Sequence, residues 1–350
     1  MRQRWLMPDA RLLDQLWWGE TPAARLGRTA LRPAELLYRG VVALRGALYN
    51  AGVLPSHAPT LPALSVGNLT VGGTGKTPVA AWLASQFAQR GARPALVLRG
   101  YGGDEPLVHA RLNPQVPVVI APDRLDGIAR AAASGADVAV LDDAFQHRRV
   151  QRTADVVLVS AERWTPRPRL LPAGPWREPV RALRRAAMVL VTRKTAGDAD
   201  AAVVASDLAR LVPEVPQGVV HLALAELRRV DGQGTLPLHA LSGARILAIS
   251  AIGDPVAFLE QLRQQGGSVR PWTLSDHHPF TPSAAARMAG ALEPGTLPVC
   301  TLKDAVKLGP LWPRAAPPLW YVSQHLTIEH GAPALDALIA RVLAARHAAR

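Results

Sequence analysis

The chain contains a single cysteine, Cys300, and no long uncharged hydrophobic run. One cysteine excludes an internal disulfide framework and a cysteine-based zinc site, so we expect a reducing compartment, the cytoplasm. Charged residues and Pro8 interrupt the apolar part of residues 1–20, which argues against a signal peptide. Because no uncharged run reaches the ~18 residues that a spanning helix needs, no segment is expected to cross a membrane.

Lysine is also scarce, since only Lys76, Lys194, Lys303 and Lys307 are found among 40 basic residues. Arginine therefore supplies most of the net charge of +13. Such a charge suits nucleic acid, anionic lipid or a phosphorylated substrate, and an arginine-rich solvated surface accounts for it equally well. Because no nucleic-acid-binding motif is recognisable, nucleic acid is not an expected partner.

The remaining composition is that of a globular protein. Of 350 residues, 49% are hydrophobic and 19% are charged, which excludes a disordered chain and a coiled coil. This length suits two ordinary domains or one large domain.

Residues 1–60 contain two amphipathic segments. In the first, Leu12, Leu13, Leu16 and Trp17 recur at helical spacing, and in the second, residues 31–53, several leucines and valines share one narrow arc. The tryptophan, leucine and arginine content favours a helix lying in a membrane interface. An ordinary helix packed on the core has the same pattern, so both interpretations remain open.

From residue 61 the pattern predicts an α/β fold. Apolar runs at 62–66, 95–98, 117–120, 137–141, 155–160 and 187–192 alternate with helical patterns such as 77–90 and 123–134. This alternation is typical of a parallel sheet covered on both faces. A second set of strands and helices, from 245 to 348, follows a polar stretch. We therefore predict a P-loop NTPase-like parallel sheet domain over 61–230 and a second, smaller α/β/α domain over 231–350.

A glycine-rich segment between the first predicted strand and its helix has the context of a phosphate-binding loop. Backbone N–H groups of Gly72, Gly73, Thr74 and Gly75 would surround a triphosphate, with Lys76 at the β- and γ-phosphates and the Thr77 hydroxyl on Mg²⁺. Thr70 stands where the strict pattern has glycine. Residues 72–77 are called the phosphate loop below.

A pair of carboxylates ends the strand predicted at 137–141. Asp142 and Asp143 stand at its carboxyl end, where ligands of open α/β sheets bind. This is the form of a Walker B element, and we assign Asp142 to Mg²⁺, directly or through water, with Asp143 beside it. An ordinary turn at a strand end is the alternative.

Several further motifs complete an ordered set. They are Gly-Asn-x₃-Gly-Gly-Thr-Gly-Lys-Thr-Pro from Gly67, Arg-Gly-Tyr-Gly-Gly from Arg99, Asp-Glu-Pro from Asp104, Asp-Asp-x-Phe-Gln-His from Asp142, Leu-Pro-Ala-Gly-Pro-x-Arg-Glu-Pro from Leu171, Asp-His-His from Asp276 and Lys-Asp-Ala-Val-Lys from Lys303. This set resembles the tetraacyldisaccharide 4′-kinase family of lipid A biosynthesis. The resemblance runs from about residue 10 to about residue 325.

The resemblance implies an enzyme that uses ATP and Mg²⁺ to phosphorylate the 4′-hydroxyl of an acylated glucosamine disaccharide 1-phosphate. It also implies two α/β/α domains joined by a short β-ribbon, and peripheral attachment to the cytoplasmic face of the inner membrane through the N-terminal segment. The expected partners are this lipid substrate and the inner-membrane lipid surface, and no obligate protein partner is expected.

The same resemblance suggests roles for individual residues. Asp104 and His277 match the family's catalytic pair, in which a carboxylate accepts the hydroxyl proton and an imidazole orients it. His278 is a weaker candidate than His277. Glu178 joins Asp142 and Asp143 among the carboxylates associated with Mg²⁺. Arg99 and Arg177 are cations suited to binding phosphate.

Some positions depart from the family pattern without removing a catalytic group. Ala144 and Leu98 replace Gly and Ser, residues 251–255 replace a Gly-Ile-x-Asn-Pro pattern, and Leu302 replaces Glu. Ala144 would alter the turn after the carboxylates if that position needed a positive φ.

Two other classes of protein use similar loops. A P-loop GTPase or ATPase switch, or a metallochaperone-like NTPase, is the main alternative. Guanine specificity favours Asn/Thr-Lys-x-Asp, and residues 301–304 have the wrong spacing. A nucleic-acid-dependent ATPase lacks a supporting motif.

Overall fold

The computed structural model describes residues 10–100, 103–276 and 278–348. It begins with three helices: α1 Ala10–Trp18, α2 Pro22–Ala30 and α3 Arg32–Asn50. Thr21 caps α2, because its hydroxyl accepts a hydrogen bond from the backbone N–H of Ala24 at 3.2 Å. Among the described helices, none combines the length and the hydropathy that crossing a bilayer requires.

Strands and helices then alternate in the first domain. They are β1 Ala63–Asn68, α4 Lys76–Gln89, β2 Pro94–Leu98, α5 Glu105–Leu112, β3 Val118–Ile120, α6 Arg124–Ala133, β4 Val138–Asp142, β5 Ala154–Ser160, β6 Met188–Arg193 and α7 Asp198–Leu211. The six strands pair in parallel in the order β3-β2-β4-β1-β5-β6. Because helices cover both faces, β1, β2 and β4 are wholly buried. The α/β prediction is confirmed.

The rest of the chain forms the second domain and the connection to it. Its elements are β7 Gln217–Arg229, β8 Thr235–Pro237, β9 Arg245–Ser250, α8 Pro255–Gln264, β10 Ser268–Thr273, α9 Pro282–Gly290, β11 Thr296–Thr301, α10 Leu302–Leu308, β12 Trp320–His330 and α11 Ala332–Ala348. The sheet continues through both domains in the order β6-β7-β12-β11-β9-β10, and β8 pairs with β7.

An antiparallel ribbon of β7 and β12 joins the two domains. At one end β7 pairs in parallel with β6, and at the other end β12 pairs in parallel with β11. Between these ends, the two strands pair with each other from Trp320 opposite Arg229 to His330 opposite Val219. The change from parallel to antiparallel pairing marks the link between the two domains.

Helix α11 returns to the first domain. Its residues Leu335, Leu338, Ile339 and Val342 belong to the same buried cluster as the side chains of β1 and α4. The sequence-based division placed all of 231–350 in the second domain, whereas these contacts group α11 with the first core. We therefore propose that the second domain comprises the region between β7 and β12.

The sheet topology also locates the functional edge. Strands β1 and β4 are parallel neighbours, with Val66 opposite Asp142, so the phosphate loop after β1 and the carboxylates after β4 adjoin. Strand β2 pairs with β4 on the other side and leads towards α5. Three of the predicted motifs therefore meet at one sheet edge.

Candidate active site

The phosphate loop connects buried β1 to the first turn of α4. Gly72 has a φ of 118° and Gly75 a φ of 87°, both in the region that favours glycine. A side chain on Gly75 would also collide with Leu222, since its Cβ would lie 2.4 Å from Leu222 Cδ1. The positive φ therefore favours glycine at position 75, and a Cβ there would also force the Leu222 side chain to move.

Hydrogen bonds from neighbouring segments hold this loop. The buried Thr74 hydroxyl accepts from Asn68 Nδ2 at 2.8 Å, and its backbone oxygen accepts from the Thr192 hydroxyl at 3.0 Å. The Lys194 ammonium donates to the backbone oxygen of Gly73 at 2.7 Å. Contacts within the protein thus hold the loop in its shape.

Asp142 lies at the centre of a buried polar cluster. One carboxylate oxygen, Oδ2, is 3.3 Å from the Thr77 hydroxyl and 2.9 Å from His109 Nε2. Its backbone oxygen accepts from Arg124 Nη2 at 3.3 Å. If the carboxylate is ionised, it can only accept in this contact, which then requires the proton on Nε2 of His109.

Asp143 faces the cations of the site. It accepts two hydrogen bonds from the guanidinium of Arg177, at 2.8 and 3.3 Å, and the Lys76 ammonium lies 4.0 Å away. Burial alone would raise the pKa of Asp143, but Lys76 and Arg177 together hold it below its usual value. Asp143 also has a φ of 49° and is the one non-glycine residue with positive φ in the described chain. Because that conformation falls on Asp143, Ala144 does not need it.

Asp104 ends the segment after β2 and immediately precedes α5, where it is fully buried. Two lysines of α10 in the second domain approach it, with Lys307 Nζ at 3.3 Å and Lys303 Nζ at 3.9 Å from Oδ2. Asp104 therefore lies where the two domains meet.

Glu105, which follows Asp104, is influenced by the charges of Asp142 and of Lys76 in the phosphate loop. Burial raises the pKa of the neighbouring Glu105, and the negative charge of Asp142 adds to this effect, while Lys303 and Lys76 oppose it. Burial lowers the pKa of Arg124, and the positive charge of Arg99 contributes. The groups predicted from separate motifs thus share one electrostatic environment.

Glu178 occupies a different position in the site. It is buried and forms an ion pair with Arg185 at 2.8 Å, while its neighbour Arg177 binds Asp143. In the parts of the chain that the structure describes, no three His, Cys, Asp or Glu side chains form a ready metal cluster. The assignment of Glu178 to Mg²⁺ stays a prediction. His277 lies outside the described residues, so its role also stays a prediction.

Several residues of the site were not predicted as functional. They are His109, Glu105, Arg124, Lys194, Lys303 and Lys307. The rarity of lysine could have indicated the lysines, because all four lysines of this arginine-rich chain lie at the site. His109 had none, since its partner Asp142 is 33 residues away in sequence.

The fold and the site together define a P-loop kinase-type enzyme. A glycine loop joins a buried strand to a helix, and a carboxylate at the end of the adjacent strand contacts the first hydroxyl of that helix. Comparison with known proteins agrees with this class. The chain has a TM-score of 0.70 and 27% identity to a crystal structure of LpxK from Aquifex aeolicus in complex with ATP, over 90% of this chain and 99% of that one.

The sequence comparisons specify the family. The profile of the tetraacyldisaccharide-1-P 4′-kinase family matches residues 27–103 and 102–344. A tetraacyldisaccharide 4′-kinase of Anaeromyxobacter dehalogenans is 38% identical, over 95% of each chain. One from Chlorobaculum tepidum is 36% identical, over 78% of this chain and 85% of that relative. The chain belongs to the tetraacyldisaccharide-1-P 4′-kinase family.

Proposed function

We propose that this chain transfers the terminal phosphoryl group of ATP to the 4′-hydroxyl of a tetraacyldisaccharide 1-phosphate, a step of lipid A biosynthesis. Family membership and the similarity to an ATP-bound relative support this activity. The structural observation that carries it is the position of Asp104. A buried carboxylate lies between the domain that holds the phosphate loop and the lysines of α10.

The residues around Asp142 fit a magnesium ion. Its Oδ1 atom is buried and accepts no hydrogen bond from the described residues, while the Thr77 hydroxyl lies beside Oδ2. Hard oxygen donors of this kind suit Mg²⁺, which usually keeps several waters and needs few protein ligands. When bound, the ion would neutralise phosphate charge. Asp142 and Thr77 would hold it, with Asp143 nearby.

The side chains of the chain supply binding, orientation and proton transfer. Lys76 and the loop N–H groups bind the phosphates of ATP, and Arg177 adds a second cation close to Asp143. Asp104 accepts the proton of the 4′-hydroxyl as the new P–O bond forms. Lys303 and Lys307 lie beside its carboxylate and help to fix its position.

The N-terminal helices support attachment to a lipid surface at the cytoplasmic face of the inner membrane. Leu37, Val41 and Leu44, named here the α3 stripe, are 72, 58 and 62% exposed. Leu12 on α1 and Leu26 on α2 are exposed too. Such an apolar surface favours the interfacial interpretation over a helix packed on the core.

The switch interpretation is not favoured. Asp304, the acidic residue nearest to a guanine-recognition pattern, is buried and accepts hydrogen bonds from the Thr301 hydroxyl at 2.7 Å and from the backbone N–H of Ala251 at 3.2 Å. It stabilises the start of α10 rather than offering a nucleotide-binding carboxylate.

The proposed activity is tested by transfer of radiolabelled phosphate from Mg-ATP to detergent-dispersed tetraacyldisaccharide 1-phosphate. Because general-base catalysis is worth at least ~10²-fold, Asp104→Asn should lower kcat by about that factor or more. Lys76→Ala should also lose most of the rate. Asp336→Asn, an exposed change on α11, is the control and should retain wild-type activity. GTP hydrolysis without label in the lipid would overturn the proposal.

A further inference from the structure

Three arginines come together beside the active site, where α3 meets the segments after β4 and before β6. They are Arg45 on α3, Arg148 after β4 and Arg185 before β6. Burial lowers the pKa of Arg148, and the positive charges of Arg185 and Arg45 lower it further, while the negative charge of Glu178 raises it. Arg45 and Arg148 lie over the same aromatic ring, that of Tyr49, so these two guanidinium groups are neighbours. We call the three arginines the arginine cluster.

Neutral groups hold two members of the arginine cluster in place. Arg45 donates to the backbone oxygen of Gln146 at 2.8 Å. Arg148 donates to the backbone oxygen of Gly46 at 3.1 Å and to the side-chain oxygen of Asn50 at 2.7 Å. Such bonds fix the positions of the guanidinium groups without neutralising their charge.

Aromatic stacking completes this arrangement. Arg45 and Arg148 both lie over the ring of Tyr49, at 5.2 and 5.0 Å from its centroid. Neither forms an ion pair with a carboxylate of the described residues, whereas Arg185 pairs with Glu178 at 2.8 Å. Among the described residues, these two positioned guanidinium groups thus form no ion pair, and a phosphate is a partner that suits them.

The arginine cluster adjoins the catalytic groups on one side. Glu178, which binds Arg185, directly follows Arg177, and Arg177 binds Asp143. The hydroxyl of Tyr38 on α3 donates to the backbone oxygen of Arg177 at 3.0 Å, which ties this helix to the same segment. A molecule that reaches Asp143 therefore has the arginine cluster within a few side chains.

The α3 stripe adjoins the arginine cluster on the other side. Arg45 directly follows Leu44 and lies one turn after Val41 on the same helix. Acyl chains on the stripe, a phosphate on the cluster and a sugar ring towards Asp143 would follow one another across this surface. That order matches the parts of a phosphorylated, acylated disaccharide.

We propose that Arg45 and Arg148 bind the phosphate at position 1 of the acceptor. This inference rests on the proposed function and deepens it, because it assigns the recognition of the acceptor's own phosphate to residues outside the phosphate loop. The cluster selects acceptors that carry this phosphate and orients them with the 4′-hydroxyl towards Asp104.

The test compares two acceptors, the tetraacyldisaccharide with and without its 1-phosphate, by kcat/KM. For the wild-type protein we expect the phosphorylated acceptor to be preferred by about tenfold or more, since a charged hydrogen bond to phosphate is worth that much. In Arg45→Gln and Arg148→Gln this preference should fall towards one, with activity on the acceptor without phosphate retained. Arg39→Gln removes an equal charge from α3 at its partner Glu35 and should keep the wild-type preference.

Other outcomes separate the explanations. If both variants lost activity equally on the two acceptors, the arginines would only support α3, and the proposal would be overturned. Sedimentation with anionic liposomes tests whether the arginine cluster binds the phosphates of membrane headgroups instead. A loss of liposome binding with unchanged acceptor preference would assign the cluster to membrane headgroups and would also overturn it. Failure of the wild-type protein to phosphorylate either acceptor would instead reject the proposed function.

Discussion

Asp143 is held in a left-handed conformation between two cations, and this has a consequence for stability. Its carboxylate binds Arg177 and faces Lys76, and its pKa lies below the ordinary value of 3.8 because these cations outweigh the effect of burial. The unfolded chain therefore binds this proton more readily than the folded chain. The resulting stabilisation is present above about pH 3.8 and is lost as the pH falls through the lower folded pKa.

Asp143→Asn tests this dependence. Asparagine tolerates the positive φ, so the substitution removes the charge and spares the backbone. Near neutral pH we expect a loss of about 1 kcal/mol or less in the free energy of unfolding, because the side chain is 39% exposed. The difference from wild type should narrow as the pH approaches and passes below 3.8, measured by urea unfolding. A constant difference across this range would contradict the assigned pKa shift.

The residues of the site show which contacts can be predicted from sequence patterns and which cannot. The phosphate loop and the carboxylates after β4 were predicted because each lies within a short motif, and the structure places them side by side. His109 and Lys307 were not predicted, since their partners come from other elements and the sequence carries no spacing that joins them. The catalytic roles stay proposals.

Helix α3 leaves several leucine and valine side chains exposed, although one of its carboxylates is buried. Its Glu35 is buried and accepts from the backbone N–H of Leu170 at 2.9 Å, while the α3 stripe faces solvent. An ordinary surface helix has the opposite arrangement. Amphipathicity was evident from the sequence, but the direction of the apolar face depends on where α3 packs.

Liposome binding tests the α3 stripe. Replacing Leu37 and Val41 together by Gln should lower co-sedimentation with anionic liposomes several-fold, because each removes apolar area that would enter the interface. Folding stability should change little, since both side chains are exposed. Val203→Gln, at an exposed position of α7, is the matched control and should bind as wild type does. Unchanged binding of the double variant would return α3 to a purely structural role.

Helix α11 follows β12 and packs against the core of the first domain. Ile339 is fully buried there among side chains of β1 and α4. A segment distant in sequence thus stabilises the domain that holds the phosphate loop. The continuous sheet runs from one domain to the other through β7 and β12.

Ile339→Ala should therefore destabilise the first domain. We expect a loss of about 2–5 kcal/mol, the usual cost of such a cavity, in urea unfolding of the full chain. Val256→Ala, at an exposed position of α8 in the second domain, should change the free energy of unfolding by no more than about 0.5 kcal/mol. Equal effects of the two changes would place α11 outside the first core.

The sequence alone determined the α/β class, the phosphate loop, the pair of carboxylates after β4 and the family resemblance. Each of these depends on residues that are close together in sequence, because backbone conformation and strand or helix periodicity are local properties. The tertiary structure decided the lysines around Asp104, the arginine cluster beside α3, the outward direction of the α3 stripe and the return of α11. These features depend on long-range packing. It brings side chains into contact that are far apart in sequence, and no fixed sequence spacing predicts such contacts.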